Sequence, residues 1–142
     1  MKFILVDDDK FTNILHDIVL KDALGDDADI ETFTEPEKGL EFIQKTYDEN
    51  SAHTILFLDI NMPIICGWEF LIRYEAFSEA IKARINIYML SSSVDSRDRD
   101  KAEANKNVKG FISKPLTTEV ILSIAEDEFS IPVVMLKNPG KK

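Results

Sequence analysis

Short apolar runs alternate with helical patterns along most of this chain, and this alternation limits its fold more than any other feature. The runs have the length of strands and lie at Phe3–Val6, Asp29–Thr34, Thr54–Leu58, Ile85–Leu90 and Val108–Ser113. The first, third and fourth runs are almost continuously apolar, which is typical of strands covered by helices on both faces. Strands that alternate with helices predict an α/β domain built on a parallel sheet.

The segments between the runs have the periodicity of helices. An amphipathic stripe, of the kind that usually meets a core, is predicted on the first helix at Phe11, Ile14, Leu15, Ile18 and Val19. Three more helices are marked by Leu40, Ile43 and Tyr47 after Pro36, by Trp68, Leu71 and Ile72, and by Ile121, Ile124 and Ala125 after Thr117.

The helix predicted over Ser96–Asn105 is different because its only apolar contacts are Ala102 and Ala104. Packing of an apolar face supplies most of the stability of a helix in a protein, so this helix is expected to be weakly held. It is either a movable surface or a plain solvated helix. An extra helical turn is predicted around Glu75–Arg84.

Length and composition are those of one globular domain. The chain has 142 residues, enough to bury a core without disulfides or metal. Its net charge of −9 disfavours nucleic-acid binding, which needs a basic surface. The single cysteine, Cys66, suits a reducing compartment, and no segment has the apolar length of a signal peptide or a membrane span. We therefore expect a cytoplasmic domain with neither nucleic acid nor membrane as a partner.

Polar side chains follow the carboxyl ends of the predicted strands, where open parallel sheets bind their ligands. They are Asp7, Asp8 and Asp9 after the first strand, Thr34 at the end of the second, Asp59 after the third, Ser91, Ser92 and Ser93 after the fourth, and Ser113 and Lys114 at the fifth. Each is common alone in turns, helix caps and loops. Together they predict a site of carboxylates, hydroxyls and one ammonium group.

Carboxylates gathered at one sheet edge repel one another, since two unit charges about 4 Å apart interact by about 4 kcal/mol at an effective dielectric constant of ~20. Asp7, Asp8 and Asp59 therefore predict a bound cation, and a few carboxylates with waters favour Mg²⁺ over Ca²⁺. A carboxylate beside Mg²⁺ and a lysine can attack a phosphorus centre. Asp59 is the candidate nucleophile because it stands alone at a central strand end, whereas Asp7 and Asp8 suit sharing a metal and its waters.

At these residues the sequence resembles the receiver domain of two-component response regulators, in particular the single-domain, chemotaxis-regulator-like members. The matching segments are VDDD at 6–9, LFLDINMP at 56–63 with Gly67 after it, MLSS at 89–92 and GFISKP at 110–115. Met62–Pro63 and Gly67 are expected to shape a turn. The match covers residues 1–129 and leaves 130–142 as a C-terminal tail. The resemblance implies a flavodoxin-like, doubly wound sheet of five parallel strands, order 2-1-3-4-5, with five helices.

The resemblance also implies a role for each site residue. Asp59 would accept a phosphoryl group from a phosphohistidine on a sensor histidine kinase or phosphotransfer protein. Asp8 and Asp59 would bind Mg²⁺ through their side chains, Asn61 through its backbone carbonyl, and Asp7 through a metal-bound water. The protein would be a signalling phosphoacceptor, with self-phosphotransfer and autodephosphorylation as its only chemistry, rather than an enzyme.

Three further residues are implied in sensing the phosphoryl group. Lys114 would pair with a phosphoryl oxygen, and the peptide bond before Pro115 would be cis. Ser91 would supply the hydroxyl that moves toward the phosphate, and Phe111 would turn inward as Ser91 moves. Phe111 lacks the hydroxyl that a tyrosine has at this position in many relatives, and its alternative role is that of a core residue.

The short remainder after the receiver-like segment leaves no room for an output domain, so the signal is predicted to leave as a change in partner binding. The expected surface comprises the fourth helix, the fifth strand and the fifth helix. Two other functions stay open. A phosphohydrolase that forms an aspartyl phosphate is disfavoured because Asn61, not an acid, lies two residues after Asp59. A scaffold that never meets phosphate is disfavoured by the intact aspartates, serine and lysine.

Overall fold

A computed structural model describes residues 1–93 and 95–130 of the chain. Its strands are β1 Lys2–Val6, β2 Asp29–Phe33, β3 Thr54–Asp59, β4 Ile85–Ser91 and β5 Val108–Ser113. They form one parallel sheet in the order β2-β1-β3-β4-β5. The helices are α1 Lys10–Leu24, α2 Pro36–Thr46, α3 Gly67–Glu75, α4 Glu79–Lys82, α5 Ser96–Ala104 and α6 Thr118–Phe129. This is the predicted flavodoxin-like fold.

The sheet lies between two apolar cores, one on each face. Because successive strand residues point to opposite faces, β3 contributes Leu56 and Leu58 to one core and Ile55 and Phe57 to the other. The first core includes buried residues of α2, α3, α4 and α5, and the second includes those of α1 and α6. Burial on both faces explains why the central strands are apolar without alternation.

The apolar stripe of α1 does not face a core, contrary to the expectation from its periodicity. Four of its residues are 45–76% exposed, namely Phe11, Ile14, Leu15 and Ile18, and only Val19 packs against a core. The buried side of α1 consists of Asn13, His16, Leu20, Ala23 and Leu24. Near its start, α1 lies against loop backbone that needs hydrogen-bond partners. Asn13 Nδ2 donates to the backbone carbonyls of Asp7 at 3.0 Å and Phe33 at 3.2 Å. Polar side chains therefore occupy the inward positions.

The other helices largely follow the sequence. The positions predicted to face inward on α2 and α6 are buried, namely Leu40, Ile43, Ile121, Ile124 and Ala125, and so is Tyr47, which follows α2 as its C-cap. On α3, Leu71 is buried but Ile72 is 67% exposed. The predicted extra turn is α4, so the described residues contain six helices rather than five. Ala102 is the only buried residue of α5, as expected of a weakly held helix.

Beyond Ser130, the predicted C-terminal tail lies outside the residues that the structure describes. Among the helices in the part of the chain that the structure describes, none combines the length and the apolar character needed to span a bilayer.

Candidate functional site

The carboxyl ends of four strands meet at one edge of the sheet and form the candidate site. Asp7 directly follows β1, Asp59 ends β3, Ser91 ends β4 and Lys114 directly follows β5. Parallel pairing keeps these ends level, as where Ser91 lies beside Ser113. The residues singled out from the sequence at these strand ends are therefore neighbours in the fold.

Lys114 joins the two buried carboxylates. Its Nζ lies 2.6 Å from Asp7 Oδ2 and 3.1 Å from Asp59 Oδ1. The side chains are only 16% exposed for Lys114, 4% for Asp7 and 5% for Asp59, so solvent screens these ion pairs weakly. Burial opposes the charge on Lys114, but its hydrogen bonds and ion pairs with Asp7 and Asp59 raise its pKa above the ordinary value. The peptide bond between Lys114 and Pro115 is cis, as predicted.

Asp59 loses its proton less readily than an ordinary aspartate. Burial and the charge of Asp7 raise its pKa from 3.8 to about 6, against the opposing effects of Lys114 and of a hydrogen bond from the Asn61 backbone. Low-dielectric surroundings and a neighbouring like charge both disfavour the ionised form. A single ammonium group therefore does not fully compensate the two buried carboxyl groups.

The carboxylates of Asp7, Asp8 and Asp59 fit a small, hard cation. One oxygen from each side chain lies within 4.8 Å of the others. Asp7 and Asp59 are buried, whereas Asp8 and nearby Asn61 are exposed, so one side of the cluster is open to water. This donor set suits Mg²⁺, which prefers oxygen ligands and keeps several of its waters. A cation at this point would also reduce the repulsion that raises the pKa of Asp59.

The start of α3 packs tightly against the backbone of Asp59, and this close approach requires Gly67. A Cβ atom on residue 67 would lie 2.7 Å from the Asp59 carbonyl oxygen and 2.9 Å from Ile60 Cα. The Gly67 N–H donates to the Ile60 carbonyl at 2.8 Å. The turn predicted from Met62–Pro63 and Gly67 thus holds the end of β3 in place.

Ser91 and Phe111, the two predicted switch residues, have different surroundings. Ser91 is fully buried, and its Oγ accepts a hydrogen bond from the Ser93 N–H at 3.0 Å. The Ser91 carbonyl accepts from the Lys114 N–H at 2.8 Å. Phe111 is half-buried on β5, where the Arg99 guanidinium of α5 lies 5.0 Å from the centre of its ring. Ser91 is thus linked to the site, and Phe111 to α5.

Other polar residues predicted at this edge have local roles or lie at its rim. Asp9 Oδ1 accepts hydrogen bonds from the N–H groups of Phe11 and Thr12, so Asp9 is the N-cap of α1. Thr34 and Ser92 are exposed beyond the ends of their strands. Capping therefore explains Asp9 without a role in the chemistry.

Two polar residues on the inward side of α1, Asn13 and His16, were missed from the sequence. Both are buried, and His16 Nε2 accepts a hydrogen bond from the Leu116 N–H at 3.2 Å. Burial lowers the pKa of His16, an effect that Asp7 opposes and Lys114 reinforces. A usable signal was present, since residues 13, 16, 20 and 23 follow one another at intervals of three or four and so share one helical face.

Comparison with known sequences places this architecture in one family. Residues 3–126 match the family described as the response regulator receiver domain. The transcriptional regulatory protein FlgR of Helicobacter pylori is 31% identical over 122 residues. That alignment covers 86% of this chain but only 28% of FlgR, so the chain spans little more than a quarter of that relative's length.

Solved structures have the same fold. A response regulator receiver protein from Dyadobacter fermentans is similar with a TM-score of 0.83 and 29% identity, over 91% of this chain and 98% of that chain. A two-component response regulator from Cytophaga hutchinsonii gives a TM-score of 0.81 and 28% identity, over 92% and 97% of the two chains. With the sheet order, the acidic edge and the match over residues 3–126 in agreement, the chain belongs to the response regulator receiver domain family.

Proposed function

We propose that this receiver domain accepts a phosphoryl group on Asp59, in a Mg²⁺-dependent reaction, from a phosphohistidine on a sensor histidine kinase or phosphotransfer protein. The observation that carries the proposal is the surroundings of the Asp59 carboxylate. Lys114 Nζ lies 3.1 Å from it, and oxygens of Asp7 and Asp8 lie within 4.8 Å. Such a carboxylate can act as a nucleophile toward phosphorus while cationic groups balance the charge. Receiver domains are signalling domains, so the proposed product is a modified protein.

In the proposed reaction, an Asp59 carboxylate oxygen forms a P–O bond as the P–N bond of the phosphohistidine breaks. The electron pair of the broken bond returns to the imidazole nitrogen, and Asp59 becomes an acyl phosphate. Lys114 would pair with a phosphoryl oxygen. Asp8 and Asp59 would hold Mg²⁺ with the Asn61 carbonyl and a water on Asp7, and the ion would supply positive charge to the transferring phosphoryl group.

Exposed apolar side chains beside the site support a protein as the phosphoryl donor. The apolar face of α1, defined by Phe11, Ile14, Leu15 and Ile18, begins two residues after Asp9. Across the acidic edge, Ile64 is 97% exposed and has a φ of 66°, an unfavourable backbone conformation for a β-branched residue. Contiguous exposed apolar surface is typical of protein-binding sites. We assign the apolar face of α1 to contact with the donor protein.

The signal would leave through α5, β5 and α6. The Ser91 hydroxyl would exchange its bond with the Ser93 N–H for one to the phosphoryl group, and Phe111 would move with it. Because α5 buries only Ala102, little free energy is needed to shift this helix. Phosphorylation would then shift an existing conformational equilibrium and alter partner binding. The stand-alone organisation, the division at residue 129 and the cytoplasmic location stay predictions.

Incubation with acetyl phosphate and Mg²⁺, followed by mass measurement of the intact protein, tests the proposal. We expect a gain of one phosphoryl group that requires Mg²⁺ and is absent in Asp59→Asn. The matched control is Asp48→Asn, in the loop after α2, which should be modified like the wild type. A gain that persists in Asp59→Asn would place the acceptor elsewhere. No gain in the folded, Mg²⁺-supplied protein would favour a scaffold, and continuous release of inorganic phosphate from phosphate esters would favour a phosphohydrolase.

A further inference from the structure

His16 lies beneath the segment that carries Lys114. It is 1% exposed on the inward side of α1, and its Nε2 accepts the backbone N–H of Leu116 at 3.2 Å. Leu116 is itself 2% exposed and lies two residues after Lys114. Because Nε2 is the acceptor, the neutral ring carries its proton on Nδ1. The low pKa of His16, caused first by burial, keeps this acceptor available at neutral pH.

The backbone from Lys114 to Leu116 has only two N–H groups, because Pro115 has none. The Lys114 N–H donates to the Ser91 carbonyl of β4 at 2.8 Å, and the Leu116 N–H donates to His16 of α1. One hydrogen bond therefore holds the segment on each side of the Lys114 side chain. A shift of the segment would change where the ammonium group lies.

We propose that His16 is a positioning residue: by holding the Leu116 N–H, it directs Lys114 toward the phosphoryl-accepting carboxylate. The proposal rests on the proposed function of Asp59. Lys114 can move only slightly without losing these contacts, because its Nζ lies 2.6 Å from Asp7 Oδ2 and 3.1 Å from Asp59 Oδ1. A displacement of about 1 Å would break the contact to Asp59, and misplacements of that size can lower a reaction rate about 100-fold.

Three substitutions separate the hydrogen bond from simple core filling. In His16→Gln, the amide oxygen stands the same number of bonds from Cα as Nε2 and can accept from Leu116. His16→Asn has the same chemistry with a side chain one bond shorter, so it is the matched control. His16→Leu fills the site without an acceptor.

The experiment measures the initial rate of phosphorylation by acetyl phosphate with Mg²⁺, for each variant alone and combined with Lys114→Ala. We expect His16→Leu and His16→Asn to lower the rate about 10- to 100-fold and His16→Gln to stay within about 3-fold of the wild type. In the Lys114→Ala background, all three should have little further effect, because His16 acts through Lys114. Losses that multiply with that of Lys114→Ala, or an unchanged rate in His16→Leu, would overturn the proposal.

Amide hydrogen exchange at Leu116 measures the hydrogen bond from the Leu116 N–H to His16 independently of phosphorylation. Protection should persist in His16→Gln and fall in His16→Leu and His16→Asn, while the amides of β1 and β3 stay protected. If neither the wild type nor any variant is phosphorylated, the function proposed for Asp59 fails. The exchange result then still decides whether His16 holds the Lys114–Leu116 segment. Global unfolding of both His16→Leu and His16→Asn would contradict a role limited to positioning.

Discussion

Asp59→Asn should make the metal-free domain more stable at neutral pH, although it removes the proposed acceptor. Folding raises the pKa of Asp59 from 3.8 to about 6. A carboxyl group with a raised pKa contributes fully to stability below the unfolded value, and that contribution is lost as pH rises through the folded value. At 1.36 kcal/mol per pKa unit, the complete loss is about 3 kcal/mol above about pH 6. The amide of Asn does not ionise, so the variant does not lose this stability as the pH rises.

The raised pKa of Asp59 already includes the attraction of Lys114, so the loss of their 3.1 Å ion pair is not subtracted a second time. Lys114 keeps its 2.6 Å contact with Asp7, and poorer hydrogen bonding by the amide sets the lower end of the expected gain. We therefore expect a net gain of about 1 to 3 kcal/mol at neutral pH. Well below pH 3.8, where the acid is protonated in both the folded and the unfolded state, the gain should disappear.

Urea unfolding in the presence of a chelator, from acidic to neutral pH, measures this difference. The control is Asp8→Asn, since Asp8 is exposed and its neutralisation should change stability much less. Adding Mg²⁺ should stabilise the wild type more than Asp59→Asn and narrow the gap, because the ion binds the folded state. Equal stabilities at neutral pH, or a gap that does not change with pH, would refute the assignment of Asp59 as a buried carboxylate in a repulsive cluster.

Two further predictions concern other parts of the molecule. Ile14→Glu on the apolar face of α1 should lower phosphoryl transfer from the cognate phosphorylated kinase about 10-fold or more, because a desolvated contact is lost. Modification by acetyl phosphate should not change, and the Ile72→Glu variant, altered at an exposed isoleucine of α3, should accept the phosphoryl group normally. Glu128→Gln should destabilise the domain by about 1 to 3 kcal/mol, because the buried Glu128 carboxylate pairs with Lys109 and His53. These and two further hydrogen bonds outweigh burial and lower the pKa of Glu128 to about 2, so the difference from wild type in urea unfolding should shrink as pH falls from about 4.5 toward 2.

The candidate site was predictable because it depends on strand ends. Burial on both faces makes the central strands readable as apolar runs, and parallel pairing then brings their carboxyl ends to one edge. Asp7, Asp59 and Lys114 needed no other information to be placed together. The raised pKa of Asp59 could not be read from the sequence, because it depends on how deeply the carboxyl group is buried beside Asp7.

The Glu128 cluster was not predictable for a different reason. Its hydrogen-bond partners lie far apart in the chain, on the segment before β3 and on β4 and β5, and they are His53, Asn86, Tyr88 and Lys109. In the sequence, each of these residues alone is typical of a surface or strand position. Gly110 is part of the same arrangement, since a Cβ there would lie 2.7 Å from the Tyr88 ring. Only the packed sheet and helix reveal that one carboxylate, 1% exposed, joins them.

The apolar stripe of α1 faces away from the core, and this shows what helical periodicity can and cannot specify. A 3.6-residue repeat determines which residues share a face, but it does not determine which face meets the protein. In α1, the inward side is polar at Asn13 and His16 because their side chains donate to the Asp7 carbonyl and accept from the Leu116 N–H, respectively. Those hydrogen bonds satisfy Asn13 Nδ2 and His16 Nε2, whereas Asn13 Oδ1 is buried without a hydrogen-bond partner. The apolar residues on the opposite side, Ile14 among them, are then free to face another molecule, so an apolar stripe on a helix beside a sheet-edge site can indicate a partner instead of a core.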